Sequence, residues 1–162
     1  KIIAKSDGII AGIDIAKYIS SLFDLIIQST KKDGDPILKG DIIIHLNGNT
    51  RNILMAERTM LNIMMKMSSI ATTINSMVSE IRTSNLKTII AATRKTTPGF
   101  ALFEKMAFII GGGDTHRMDL SDMVLLKDTH RDLFEENIEK MIMEAKRGKE
   151  KEKKRERKRE FT

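Results

Sequence analysis

The chain has 162 residues, of which 41% are hydrophobic, and it contains no cysteine. This length and apolar content predict one domain, or one domain with part of another, and a buried core. The lack of cysteine excludes disulfides and thiolate metal sites and fits a cytoplasmic setting. No apolar run approaches the roughly 18 residues that a membrane-spanning helix needs, so we expect no membrane association.

The net charge of +6 comes from the end of the chain. Lys146–Glu160 contains ten basic and four acidic residues and no apolar residue, whereas the rest of the chain is neutral. Such a segment cannot bury a face, so we predict a solvated helical extension or a disordered tail. Because the remaining residues carry no excess positive charge, the sequence argues against nucleic acid as a partner of the folded part.

The first third of the chain predicts short strands, turns and one helix. Ser6–Asp14 and Asp41–Leu46 are predicted strands, and Ile15–Phe23 is a predicted amphipathic helix between them. His45 lies inside the second strand, and we interpret it as a structural residue because no other ligand residue adjoins it.

A long helical pattern follows at Ile53–Arg82, with Asn52 as its predicted N-cap and Ser68-Ser69 as the predicted break. Arg58 lies off the apolar stripe and, taken alone, is a solvated helix charge. Apolar side chains recur at intervals of three or four residues, which predicts a buried stripe: Ile53, Ala56, Met60, Ile63, Met67, Ile70, Ile74, Met77 and Ile81.

The second half of the chain predicts a β-α-β unit with basic residues after each strand. Thr88–Thr93 and Met123–Leu126 are the predicted strands, with a helix from about Pro98 to Ile109 between them. Arg94-Lys95 follows the first strand and Lys127 the second, at the carboxyl ends where α/β folds carry their sites. Clustered Arg, Lys and His side chains suit a ligand with carboxylates or phosphates.

Three local features complete this region. Thr97-Pro98 is the predicted start of the helix, with Thr97 as its N-cap. We expect Leu102, Phe103 and Met106 to face the sheet. Gly111–Gly113 lacks the spacing of a phosphate loop and is the predicted helix end. Asp128 to about Lys146 is a further predicted helix.

Several sequence blocks together resemble the quinolinate phosphoribosyltransferase family. TRKTTPG at Thr93–Gly99, GGGDTHR at Gly111–Arg117 and VLLKDTH at Val124–His130 occur in the family's order, after ILMAERTMLNIMMKMSSIATT at Ile53–Thr73 and DGDPILKGDII at Asp33–Ile43. The chain departs from the family pattern at Ser69, Ala101 and Thr129.

The resemblance implies an α/β fold, with an N-terminal α/β sandwich domain followed by the first βα units of an incomplete α/β barrel. It divides the chain into a sandwich domain at residues 1–66, a partial barrel at 67–145 and a basic tail at 146–162. It also implies phosphoribosyl transfer from phosphoribosyl pyrophosphate to quinolinate in NAD biosynthesis. Nicotinate mononucleotide, pyrophosphate and carbon dioxide are the products, and Mg²⁺ accompanies the pyrophosphate.

Site residues also follow from the resemblance. The pocket for quinolinate would be lined by Arg94, His116, Arg117 and Lys127, and Arg58 would reach it from the neighbouring subunit of a homodimer. Lys95 and Lys127 would serve the phosphoribosyl donor, with Lys127 as the catalytic residue. Two adjacent carboxylates on quinolinate require at least two cationic partners, which this set provides.

Family members continue past the lysine block with the residues that hold Mg²⁺ and the donor phosphates. We therefore expect this chain to be a C-terminally incomplete member that lacks the metal ligands and is inactive by itself. Three alternatives remain open: a paralogue associated with molybdenum transport, a transferase acting on a monocarboxylate such as nicotinate, and a non-catalytic protein that binds RNA or an acidic partner through the tail.

Overall fold

The computed structural model describes residues 1–118 and 122–159, with side chains as far as residue 150. It consists of two compact units, Lys1–Met118 and Asp119–Thr162. Within the described residues, no helix is both long and apolar enough to cross a membrane.

The first unit begins with two small antiparallel sheets. The strands are β1 (Ile2–Ile3), β2 (Gly8–Ile9), β3 (Ile26–Ser29), β4 (Pro36–Ile37) and β5 (Ile42–Asn47). One sheet has three strands in the order β1-β5-β3, and the other pairs β2 with β4. Cross-strand pairs such as Ile27 with Leu46 fix the register.

Two helices close the core over these sheets. Helix α1 (Ile13–Leu22) buries Ile13, Ala16 and Ile19, whose spacing of three residues matches one helical face. Helix α2 (Thr50–Thr83) runs for 34 residues without interruption. Its buried residues keep the predicted spacing of three or four, and the predicted positions Ala56, Met60, Met67 and Ile74 are buried. Met77 is 47% exposed, so its predicted burial is wrong, and the buried set is completed by Met64, Ala71 and Val78.

Helix α3 (Ala101–Ile110) packs on the second half of α2. A small second core forms there from Ala11, Met67, Ala71 and Ala107, against which Phe103, Met106 and Ile110 pack. Leu102 is 58% exposed, so the prediction that it faces the sheet is wrong. Phe103 and Met106 do point inward, but they pack against the core shared with α2 and not against the predicted sheet.

The predicted strand Thr88–Thr93 is reduced to one parallel bridge, Ala91 with Asp114. Two backbone hydrogen bonds form it: Asp114 N–H donates to Ile90 O, and Ala92 N–H to Asp114 O, both at 2.8 Å. Residues 122–127 are not a strand, so the prediction for Met123–Leu126 is wrong. A strand is defined by its pairing partners, and apolar composition does not supply those partners.

The predicted cap and the predicted break of α2 are also wrong. Asn49, not Asn52, caps α2, because its Oδ1 accepts the Arg51 N–H at 2.9 Å. The Asn52 side chain instead donates to Phe23 O. Ser68-Ser69 does not break the helix: Ser68 Oγ accepts from Ala11 N–H at 3.0 Å and so joins α2 to the loop before α1.

The second unit contains α4 (Asp128–Leu133) and α5 (Ile138–Arg159). The predicted helix from Asp128 to Lys146 is therefore divided in two. Glu135 and Glu136 have φ values of 51° and 61°, which no α-helix allows. The tail predicted at 146–162 continues α5 as far as Arg159, and its last three residues lie outside the described part of the chain.

Candidate functional site

The loop Thr93–Phe100, which contains the TRKTTPG block, leaves the Ala91 bridge and enters α3 through a tight turn. Phe100 N–H donates to Thr97 O at 2.9 Å, and Gly99 has a φ of 74°. Pro followed by Gly with positive φ is typical of a type II turn. The turn delays the helix until Ala101, with Phe100 in the cap position, so the predicted start at Thr97-Pro98 is wrong.

Thr97 is bound by a carboxylate instead of capping the helix. Its N–H donates to Glu104 Oε2 at 3.1 Å, and its hydroxyl donates to Glu104 Oε1 at 2.7 Å. Lys66 of α2 pairs with the same carboxylate at 2.9 Å and lies 4.6 Å from the centre of the Phe100 ring. This network fixes the loop to both helices.

Hydrogen bonds keep the Glu104 carboxylate charged despite its burial. Burial raises its pKa, but hydrogen bonds from Lys66 and Thr97 outweigh burial and lower the pKa below the usual 4.5. The charged form therefore stabilises the loop at neutral pH.

A buried lysine lies behind the loop. Lys105 of α3 is 3% exposed, and its Nζ donates to Ala92 O at 3.1 Å, Thr115 O at 2.5 Å and Arg117 O at 3.1 Å. Burial lowers its pKa below the usual 10.5, and the charges of Arg94 and Arg117 lower it further, while Asp114 opposes them. The backbone of Arg117 and that of Ala92, two residues before Arg94, meet at this ammonium group.

A cavity of about 280 Å³ adjoins this lysine, close to the lower end of the volumes that small-molecule sites span, roughly 300–1,000 Å³. Its walls combine cationic, anionic, hydroxyl and apolar groups: Ile70, Ala92, Thr93, Lys95, Thr96, Glu104, Lys105 and Phe108. A larger cavity of about 790 Å³ lies between β1, β2 and α2, and no predicted site residue is among those that line it.

Four predicted site residues thus lie in one region of the first unit. Arg94 and Lys95 are exposed on the loop, and His116 and Arg117 follow the bridge residue Asp114. His116 has a φ of 56°, a left-handed conformation that is uncommon for histidine, and its N–H donates to Asp114 Oδ1 at 2.6 Å.

The other two predicted residues belong to α2 and to the second unit. Arg58 is exposed on the first half of α2. Lys127 belongs to the second unit, where it is exposed and its carbonyl accepts the N–H groups of His130 and Arg131 at the start of α4.

Among the described residues, no group of three or more His, Asp or Glu side chains is placed to hold a metal ion. These residues thus supply no all-protein cage for Mg²⁺, an ion that usually binds through one or two carboxylates together with substrate phosphates.

Sequence reasoning did not identify Lys105. A lysine within the largely apolar helical segment ALFEKMAFII was the available signal. Lysine is almost never fully buried without partners, so such a position indicates a specific set of acceptors.

Comparison with known proteins identifies the family of the chain. The family model for the quinolinate phosphoribosyl transferase N-terminal domain matches residues 1–68, and the model for its C-terminal domain matches residues 70–157. The chain belongs to the quinolinate phosphoribosyl transferase family. The resemblance stated from the TRKTTPG, GGGDTHR and VLLKDTH blocks is confirmed.

Curated relatives within this family include two archaeal proteins named probable nicotinate-nucleotide pyrophosphorylase (carboxylating). Those of Archaeoglobus fulgidus and Methanothermobacter thermautotrophicus are each 49% identical over 129 residues, which is 80% of this chain and 50% and 46% of theirs. A Nicotiana tabacum protein named quinolinate phosphoribosyltransferase (decarboxylating) 2b, mitochondrial, is 45% identical over 130 residues, covering 79% of this chain and 36% of its own. The chain thus spans half or less of the length of these relatives.

Solved structures of the family have the same fold. NadC from Streptococcus pyogenes aligns with a TM-score of 0.81 at 36% identity, covering 88% of this chain and 51% of that protein. Nicotinate-nucleotide pyrophosphorylase from Ehrlichia chaffeensis aligns with a TM-score of 0.83 at 30% identity, covering 90% and 53%. The predicted α/β fold class is confirmed.

Proposed function

We propose that this chain carries the pyridine-dicarboxylate part of a quinolinate phosphoribosyltransferase site. The reaction joins the ring nitrogen of quinolinate to the ribosyl carbon of phosphoribosyl pyrophosphate. Pyrophosphate leaves, carbon dioxide is lost from the adjacent ring carbon, and a proton replaces it to give nicotinate mononucleotide. The observation that carries the proposal is that one buried ammonium group joins the two segments that carry Arg94 and Arg117, since Lys105 Nζ donates to Ala92 O and to Arg117 O, both at 3.1 Å.

Quinolinate suits such a region because its two carboxylates are on neighbouring ring carbons. Guanidinium groups bind carboxylates through two parallel hydrogen bonds and remain charged at every working pH. We assign Arg94, His116, Arg117 and Lys127 to the quinolinate carboxylates. Binding both carboxylates orients the ring nitrogen toward the ribosyl carbon, and this orientation raises the rate of the transfer.

The phosphoribosyl donor is assigned to lysines. Lys95 lines the cavity beneath the loop, and we propose it, with Lys127, as the partner of the donor phosphates. A flexible ammonium group suits phosphate as a point charge. Lys127 is the proposed catalytic residue because it would contact both substrates.

We further propose a homodimer in which Arg58 reaches the site of the neighbouring subunit. Its exposure on α2 leaves it accessible to a second copy. Cytoplasmic location stays a prediction, since plant relatives include proteins named mitochondrial and chloroplastic.

The names of the relatives favour quinolinate over the alternatives. Those compared here are called nicotinate-nucleotide pyrophosphorylase (carboxylating) or quinolinate phosphoribosyltransferase. Neither a molybdenum-transport role nor binding through the basic tail has a comparable observation in its favour.

The experiment is a calorimetric titration of the chain with quinolinate and, in parallel, with nicotinate. We expect tighter binding of quinolinate. Arg94→Ala removes one charge-assisted contact, worth about 1.5–3 kcal/mol, so quinolinate binding weakens roughly 10- to 100-fold and the preference over nicotinate disappears.

Arg82→Ala is the matched control, because Arg82 lies in the last turn of α2, about 18 Å along the helix from Ile70 of the cavity. It removes the same charge and should leave both affinities unchanged. Equal affinity of the wild-type chain for the two acids would refute the assignment. A separate assay of nicotinate mononucleotide formation from quinolinate and phosphoribosyl pyrophosphate tests whether this chain by itself is catalytically active.

A further inference from the structure

Lys105 makes a complete set of hydrogen bonds in a buried place. Its side chain is 3% exposed, and its ammonium group has three N–H donors. The three acceptors are the carbonyl oxygens of Ala92, Thr115 and Arg117, at 2.5–3.1 Å. A neutral amine has only two N–H groups and would leave one buried carbonyl unpaired, so these contacts match the protonated form.

The three carbonyls belong to two different segments. Ala92 precedes the loop that carries Arg94, and Thr115 and Arg117 flank His116. The backbone joins these segments by two hydrogen bonds around Asp114. Lys105 adds a third connection between the two segments, next to the residues proposed to contact quinolinate.

The contacts also bear on the conformation of His116. A histidine with a φ of 56° costs on the order of 1–3 kcal/mol relative to an ordinary conformation. Lys105 donates to Thr115 O, in the peptide that precedes His116, and to Arg117 O, the carbonyl of the residue that follows it. One ammonium group thus holds the backbone on both sides of the strained residue.

We infer that Lys105 is a positioning residue: by binding the carbonyls of Ala92, Thr115 and Arg117, it sets the directions in which Arg94, His116 and Arg117 leave the backbone toward the dicarboxylate. This inference rests on the proposed function. Its charge also adds to the cationic field of the two arginines, which strengthens the attraction of a doubly charged acid.

A residue that only stabilised the fold would behave differently. Its loss would lower the free energy of unfolding, and the folded fraction would keep its preference for quinolinate over nicotinate. Loss of a positioning residue changes the distance between the two guanidinium groups, which must match two adjacent carboxylates. The affinity for quinolinate therefore falls more than the affinity for nicotinate.

The absence of cysteine from the 162-residue sequence allows the ammonium group to be tested by chemistry. Lys105→Cys is alkylated in urea and refolded, one half with an aminoethyl group and the other with a propyl group. The two side chains have the same length as lysine and differ in ending with an ammonium or a methyl group. Lys17→Met, which removes an exposed lysine of α1, is the control for loss of one charge.

We expect the aminoethyl protein to bind quinolinate within threefold of the wild-type chain. The propyl protein should bind it at least tenfold more weakly, with nicotinate binding changed by less than threefold. Amide hydrogen exchange without ligand should be at least tenfold faster at Ala92 and Asp114 in the propyl protein, since these amides donate the two bonds of the bridge.

Each outcome decides the matter. Equal quinolinate affinity and equal exchange in the two alkylated proteins would overturn the inference. So would a propyl protein that is globally unfolded by circular dichroism, or one whose affinities for both acids fall equally. If the wild-type chain binds no quinolinate, the proposed function fails, and unchanged exchange in the propyl protein would then overturn the role of Lys105 as well.

Discussion

Gly111 ends α3 where that helix meets α2, and its replacement by alanine should destabilise the protein. A Cβ atom at this position would lie 2.6 Å from Ala71 O, 2.8 Å from Ile74 Cβ and 3.1 Å from Ala71 Cα. The first distance is about 0.8 Å short of ordinary contact. Two of the three atoms are backbone of α2, so the helices must separate.

The magnitude follows from two opposing effects. Overpacking of this kind costs about 1–3 kcal/mol. The φ of −71° at Gly111 is allowed for alanine, so the substitution also recovers about 0.4–1 kcal/mol by restricting the unfolded chain. We therefore expect Gly111→Ala to lower the free energy of unfolding by about 1–2 kcal/mol.

Urea unfolding followed by far-ultraviolet circular dichroism measures this change, because the chain has no tryptophan. With an m-value of about 1–3 kcal/mol/M, the midpoint should fall by roughly 0.5–1 M. Gly148→Ala in α5, where no atom lies within 4 Å of the new Cβ, should stabilise that helix instead. A Gly111→Ala chain as stable as the wild type would contradict the close approach of α3 to α2.

Two further predictions use the same measurement. Ser68→Ala leaves the Ala11 N–H without its 3.0 Å acceptor and should lower the free energy of unfolding by about 1–3 kcal/mol. Ser69→Ala, at an exposed position, should change it by no more than about 0.5 kcal/mol, and equal effects of the two substitutions would exclude this contact. Glu104→Gln should flatten the acid limb of stability. Because the pKa of Glu104 is lowered in the fold, its contribution is complete above pH 4.5 and is lost as pH falls through the folded value, so midpoints compared at pH 6 and pH 3 should differ less in the variant. An unchanged difference would exclude this role for the carboxylate.

The helices could be predicted from the sequence because their signals are local. The spacing of apolar residues marked α2 across nearly all of its 34 residues, and the three glycines marked the end of α3. The cap of α2 could not be chosen, since Asn49 and Asn52 are both suitable residues. Only the position of Phe23 O, which engages Asn52, separates them.

The strands and the support of the site depend on distant partners. Thr88–Thr93 has the composition of a strand, but its pairing is limited to the bridge with Asp114. Thr97 has the composition of a cap, but Glu104 binds both of its donors. The cationic residues were found through sequence blocks, whereas Lys105 required knowledge of where three carbonyls meet.

Helix α2 is continuous through residue 69, where the two family matches adjoin. The sheet core packs on its first half and the α3 core on its second, along about 51 Å of one helix. A cut between the two matched regions would therefore divide a helix and expose the buried face of each part. Within Lys1–Met118, the two cores should therefore unfold in a single transition. A chimera that takes one of the two matched regions from a relative must also take the part of α2 that packs on it.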